Sequence, residues 1–221
     1  MNDPQMRQDA EPVTTPMSAH PFIPDVHEWN ELAEAAKKCK GCPLYARATQ
    51  TVFGTGPQDA KLMLVGEQPG DKEDLAGKPF VGPAGNILDK ALADAGIDRA
   101  DVYVTNAVKH FKWEPSPNSE RRVHAKPNPR EVEACRPWLS AEIDIVRPEK
   151  IACLGATAAQ SLLGDVTVSE TRGRAIRDTS YASVLMVTIH PSSILRMADD
   201  DKDDAYQGLV ADLRALNEAA V

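Results

Sequence analysis

Several positions along this 221-residue chain combine side chains able to handle charge with a backbone able to come close to it. The run Gly66-Glu67-Gln68-Pro69-Gly70-Asp71 sets two carboxylates and a carboxamide between and beside two glycines, which permit close backbone approach or positive φ. Such carboxylates can stabilise a cation or accept a proton. A polar turn closing a strand is the plainer account. Asn106 carries a carboxamide that accepts and donates at once, with capping of a turn as its simpler role, and His190 opens the run His190-Pro191-Ser192-Ser193-Ile194-Leu195-Arg196. A second imidazole, His124, follows Arg121, Arg122 and Val123. With an unperturbed pKa of about 6.5 it is largely neutral at pH 7 and a competent nucleophile, although in a basic stretch contact with phosphate is the simpler role.

Four cysteines are too few for a disulfide scaffold. Cys39-Lys40-Gly41-Cys42 supplies two thiols in one turn, and Cys135 and Cys153 arrive from distant segments. Four thiolates suit tetrahedral zinc or a [4Fe–4S] cluster, and the spacing chooses neither. Buried unpaired thiols with a chance CxxC would look the same.

The elements that must position these groups are short. Apolar, β-rich runs at 61–66, 102–107, 150–155 and 184–189 predict four strands buried on both faces. Helical patterns fall between them at 84–95, at 129–139 with Asn128 as cap and Pro129 in the first turn, and at 156–163. Asp25, with Glu28 three residues on, predicts the start of a helix that delivers Cys39. Tyr206, Leu209, Val210, Leu213 and Leu216 make a closing amphipathic helix after the acidic run 199–204, which reads as a solvated link. A polar stretch at 171–178 suggests a small hairpin. The alternation predicts an α/β fold: three layers, α/β/α, around a central, mostly parallel four-stranded sheet, with ligands beyond the carboxyl ends of the strands. Glu67, Asn106 and His190 all fall there. Residues 1–24, rich in proline, read as a flexible tail and 25–221 as a single domain.

Taken together, Gly66 to Gly70, Lys78-Pro79-Phe80-Val81-Gly82-Pro83-Ala84-Gly85, Thr105-Asn106-Ala107-Val108-Lys109-His110-Phe111, Cys135-Arg136-Pro137-Trp138-Leu139 and His190-Pro191-Ser192-Ser193 resemble the iron–sulfur uracil-DNA glycosylases over about residues 30–215. Gln68, where the family usually has Ala, and Arg121-Arg122-Val123-His124 resemble the cross-linking UdgX-type branch, with Glu120 and Val123 departing from that branch's Lys and Ile. The resemblance implies a [4Fe–4S] cluster on Cys39, Cys42, Cys135 and Cys153, and uracil held by Gln68, Gly70, Phe80, Asn106 and His190. It implies that His190 stabilises the departing base and that Glu67, with Asp71, serves the sugar. Phe80 would otherwise read as core. Asn106 can pair with the N3–H and O4 of uracil, a pattern that cytosine reverses. The branch resemblance makes His124 the nucleophile at C1′ of deoxyribose, leaving the protein attached to the abasic sugar. Water as nucleophile, or a non-catalytic metal-containing DNA-binding module, are the rivals.

A net charge of −8 argues against nucleic acid only for the chain as a whole. Between residues 109 and 130 six Lys/Arg stand against two acids, a local +4. Lys109, Arg121, Arg122 and Lys126 are therefore candidate DNA contacts, joined by Ser192, Ser193 and Arg196 on the family's minor-groove loop. The stretch 112–128 is longer than a simple connection requires. Gly54-Thr55-Gly56 precedes a strand and Gly77-Lys78 meets Pro79, so no nucleotide cofactor is expected. No run is long and apolar enough to span a bilayer, and the polar start has no secretory core. The sequence is read as a soluble, cytoplasmic monomer whose partner is uracil-containing DNA, with single strands favoured because they avoid part of the unstacking cost.

Overall fold

A computed structural model of the chain describes residues 17–25, 28–177 and 179–221. Four parallel strands, β1 (Leu62–Gly66), β2 (Val102–Asn106), β5 (Lys150–Leu154) and β7 (Val184–Thr188), form where the apolar runs predict them. The sheet has five strands rather than four. Its order is β2-β1-β5-β7-β6, with β6 (Ala175–Arg177) antiparallel to β7 at one edge. At the other edge Thr55 exchanges two backbone hydrogen bonds with Val104, which covers the ladder of β2.

Alternate residues of these strands point to opposite faces. Leu64, Val104 and Met186 pack with Leu88 and Leu92 of α3 (Pro83–Asp94) and with Leu209 and Leu213 of α8 (Asp199–Glu218). Met63, Val65, Ile151 and Leu185 face Leu139 and Ile143 of α4 (Pro129–Val146) and Ala158 of α5 (Ala156–Leu163). The three-layer expectation therefore holds.

Several boundaries differ from the sequence reading. The first helix, α1, is Trp29–Ala36, with Glu28 and not Asp25 at its N-cap. Helix α4 runs past Leu139 and past Pro137 within it, because Glu142, Ile143 and Val146 are all buried. Its start is a reciprocal cap: Glu131 N–H donates to Asn128 Oδ1 (3.0 Å) and Asn128 N–H to Glu131 Oε2 (2.7 Å). The acidic run 199–204 is the beginning of α8 and not a link, since Asp199, Asp200 and Asp201 lie in the first turn, where the helix dipole favours negative charge. Asp71 opens a short helix, α2 (Asp71–Ala76), and the Ser192 to Arg196 segment is helix α7 (Pro191–Arg196), with α6 (Val168–Thr171) before β6. Within 112–128 an antiparallel hairpin forms, β3 (Trp113–Pro115) with β4 (Arg122–His124), pairing Trp113 with His124.

Residues 1–16 of the expected tail lie outside the described residues. The rest of it is packed: Ala19 is buried and its N–H donates to Ala134 O of α4 at 2.7 Å, while Phe22 and Ile23 pack beside α1 and α4. Apolar contact draws this segment onto the core despite its prolines.

Candidate active site

The carboxyl ends of β1, β2, β5 and β7 gather Glu67, Asn106, Thr157 and His190 on one edge of the sheet. Asn106 is 2% exposed, and its Oδ1 is a buried acceptor with no hydrogen-bond partner. A Cβ on Gly66 would come within 2.3 Å of that oxygen and 2.7 Å of Phe80 Cζ, so only glycine leaves room for both side chains. Phe80 is itself buried and held at φ 55, a conformation that strains a non-glycine residue. Its ring lies 25° from parallel to that of His190, with centroids 6.0 Å apart.

His190 caps α7. Its Nδ1 accepts the Ser192 N–H at 3.1 Å and lies 2.8 Å from Ser192 Oγ, while Ser193 Oγ donates to His190 O at 2.7 Å. Burial, helped by Arg196 and His124 nearby, pushes its pKa down to about 4. The neutral ring, accepting at Nδ1, then carries its proton on Nε2, so that nitrogen is a donor. Ser192 and Ser193 thus hold the histidine. Ser192 Oγ also accepts from the exposed Arg196 at 3.3 Å.

His124 stands at the end of β4 with Nε2 3.4 Å from Glu67 Oε1. Burial holds its pKa below the usual histidine value, against the pull of Glu67, and the Arg196 charge depresses it further. The surroundings therefore favour the neutral imidazole. Two anchors set its position. The Gln68 carboxamide spans the neck of the hairpin, donating to Lys112 O and Ala125 O (both 3.1 Å) and accepting from Lys112 N–H (3.0 Å). Arg122, on the same face of β4 as His124, donates to Asp71 Oδ1 and to the fully buried Asp74 Oδ2, each at 2.6 Å, with its guanidinium between the rings of Phe111 and Trp113.

These contacts revise several expected roles, that of Arg122 as a DNA contact among them. Gln68 is occupied by backbone and not turned toward a base. Asp71 is tied to Arg122 rather than presented to a sugar. Gly70 is the N-cap of α2 and donates its N–H to Glu73 Oε2 at 3.0 Å. Lys109 cannot meet DNA: it is fully buried, with Nζ donating to Thr105 Oγ1 and Asn106 O (2.7 Å each) and paired with Glu142. Lys112 is likewise bound to Glu131 at 2.9 Å. Arg121, Lys126 and Arg130 remain exposed and have no ion-pair partner among the described residues.

Three of the cysteines, Cys39, Cys42 and Cys135, share one cluster between α1 and α4. Each sulfur faces N–H donors: Trp138 Nε1 (3.2 Å) and Gly41 N (3.5 Å) on Cys39, Lys109 N (3.2 Å) on Cys135, and the backbone of Leu44 and Tyr45 on Cys42. Burial lifts the Cys135 thiol to about 12 against the Lys109 charge. Such donors suit thiolates held by a metal centre. Cys153 lies in β5 on the face packed against α4, the helix that carries Cys135, among Leu139, Ile143 and Val187, and burial alone raises its pKa to about 12. Among the described residues no three His, Cys, Asp or Glu side chains close around a single ion.

Two participants escape a reading of the sequence. Thr157 donates its hydroxyl to Glu67 Oε2; its place just past the end of a predicted strand is the signal that would have marked it. His110, buried and depressed to about 4 by desolvation, meets Thr51 Oγ1 at 3.0 Å, and nothing in its local sequence announces that.

The fold and this strand-end site are those of a glycosylase-type α/β domain, and the family profile for the uracil DNA glycosylase superfamily matches residues 53–214. The chain belongs to that superfamily. It is 40% identical over 167 residues to the type-4 uracil-DNA glycosylase of Thermotoga maritima, covering 75% of this chain and 82% of that one. The type-4 enzyme of Pyrobaculum aerophilum is 39% identical over 176 residues (75% and 84%), and the type-5 uracil-DNA glycosylase of Thermus thermophilus 29% over 171 residues (70% and 72%).

Proposed function

We propose that this chain excises uracil from DNA and that His124 captures the resulting sugar. The observation that carries the first half is the orphaned Asn106 Oδ1. A buried acceptor without a donor costs about 1–3 kcal/mol, and the N3–H of uracil removes that cost, whereas cytosine brings a lone pair to the same place. The neutral His190, donating from Nε2, stabilises the negative charge that the departing base acquires. The close relation to type-4 uracil-DNA glycosylases supports the same reading.

In the capture step the C1′–N1 glycosidic bond breaks and its electron pair leaves with uracil as the anion, which takes a proton from solvent. A neutral imidazole nitrogen of His124 gives its lone pair to C1′. The proton on the other ring nitrogen passes to Glu67, 3.4 Å away at Oε1. Arg121, Lys126 and Arg196, all exposed, carry the phosphate backbone.

Cys39, Cys42, Cys135 and Cys153 supply thiolates for the [4Fe–4S] cluster of this reading. When bound it would tie α1 to α4 and to β5, a structural role.

Incubation with a uracil-containing single-stranded oligonucleotide, followed by a denaturing gel, tests the proposal. A stable shifted band with stoichiometric uracil release is expected. Free abasic product with turnover would assign the attack to water, and no uracil release would leave only DNA binding.

A further inference from the structure

We infer that Thr157 is a positioning residue that sets which oxygen of Glu67 faces His124. This rests on the reading above that Glu67 and His124 act as a pair. Thr157, in the first turn of its helix, donates its hydroxyl to Glu67 Oε2, 90 residues away in sequence. It is 4% exposed and sits in the first turn of α5, where Ala159 N–H closes the turn on Gly155 O at 3.1 Å.

The turn that delivers it is tightly constrained. Gly155 has φ +88, and a Cβ there would lie 3.0 Å from His190 Cβ. The strand-to-helix turn that seats His190 therefore also fixes Thr157. With Oε2 held by that hydroxyl, Oε1 is the oxygen left 3.4 Å from His124 Nε2. Glu67 has no other hydrogen-bonding side chain among the described residues. Without the hydroxyl its carboxylate would be free to turn away from a partner that is itself on a half-exposed hairpin.

The test compares Thr157→Val with Thr157→Ser in the full chain, reading uracil release and adduct formation in single turnover. Thr157→Val is expected to slow adduct formation by roughly tenfold to a hundredfold, the worth of a hydrogen bond to a charged group, with oligonucleotide affinity unchanged. Thr157→Ser restores the rate. In a Glu67→Gln background the Val substitution adds no further loss, since Thr157 acts only through that carboxylate. A wild-type rate for Thr157→Val, equal loss in both variants, or additive loss with Glu67→Gln would each overturn the inference. If the unaltered protein gives no adduct, the capture reading fails by itself, and the same variants are judged on the rate of uracil release.

Discussion

Asn106 and Phe80 lie at the ends of core strands or against them, 2% and 8% exposed, around a glycine that admits no other residue. His124 stands on a three-residue strand of an appended hairpin, with 46% of its side chain exposed. The first group is rigid because it is continuous with the sheet and with the buried Lys109–Glu142 pair, whose ammonium holds the Asn106 carbonyl. The second depends on two fastenings, the Gln68 carboxamide at the neck of the hairpin and Arg122 clamped by Asp71 and Asp74. In the proposed reading, base recognition is built into the core and the nucleophile is delivered by an arm. Damage to the core should abolish every activity, and damage to the arm should separate capture from excision.

The largest effect is expected from Asn106→Leu. It removes both contacts to the pyrimidine edge and should lower uracil release and adduct formation together, by roughly 10²–10⁴-fold, measured by single-turnover release of labelled uracil. Adduct formation that survived this change would place recognition elsewhere. Arg122→Ala acts only on the arm. It leaves the buried Asp74 without its ion pair and loosens β4, so adduct yield should fall about tenfold while uracil release changes less; equal losses would erase the distinction between the two regions.

The pH dependence gives the smallest effect over the physiological range. His190 is neutral down to about 4, so uracil release should stay level from pH 8 to about 5 and fall as pH passes through about 4. Stability follows the same sign. His110 and His190 titrate in the fold near 4 but near 6.5 when unfolded, so the unfolded chain binds more protons between those values and stability falls as pH drops through that window. Thermal melts from pH 7 to 4.5 would check this, and a melting temperature that rose on acidification would contradict it.

The strand-end residues were legible because the runs that make β1, β2 and β7 announce their own ends, and the sheet topology puts those ends together. The partners of the basic stretch were not legible. Lys109 reads as a surface cation until Glu142, 33 residues away on α4, takes it into the core, and Arg122 is likewise claimed by Asp71 and Asp74 from the far side of the sequence. A charge count registers such cations but not the carboxylates that neutralise them. Gln68 was marked by its neighbours Glu67 and Gly66, yet its hydrogen bonds go to backbone atoms, which no side-chain pattern encodes. Cys153 lies on the strand face that packs against α4, the helix of Cys135, a placement that spacing along the sequence does not reveal.

Peptide mapping by mass spectrometry, after reaction with a uracil-containing oligonucleotide and nuclease trimming, tests the capture step most directly. The account predicts a deoxyribose-phosphate remnant on the peptide containing His124, absent in His124→Ser even though uracil is still released. An unmodified His124 peptide alongside quantitative uracil release would contradict it.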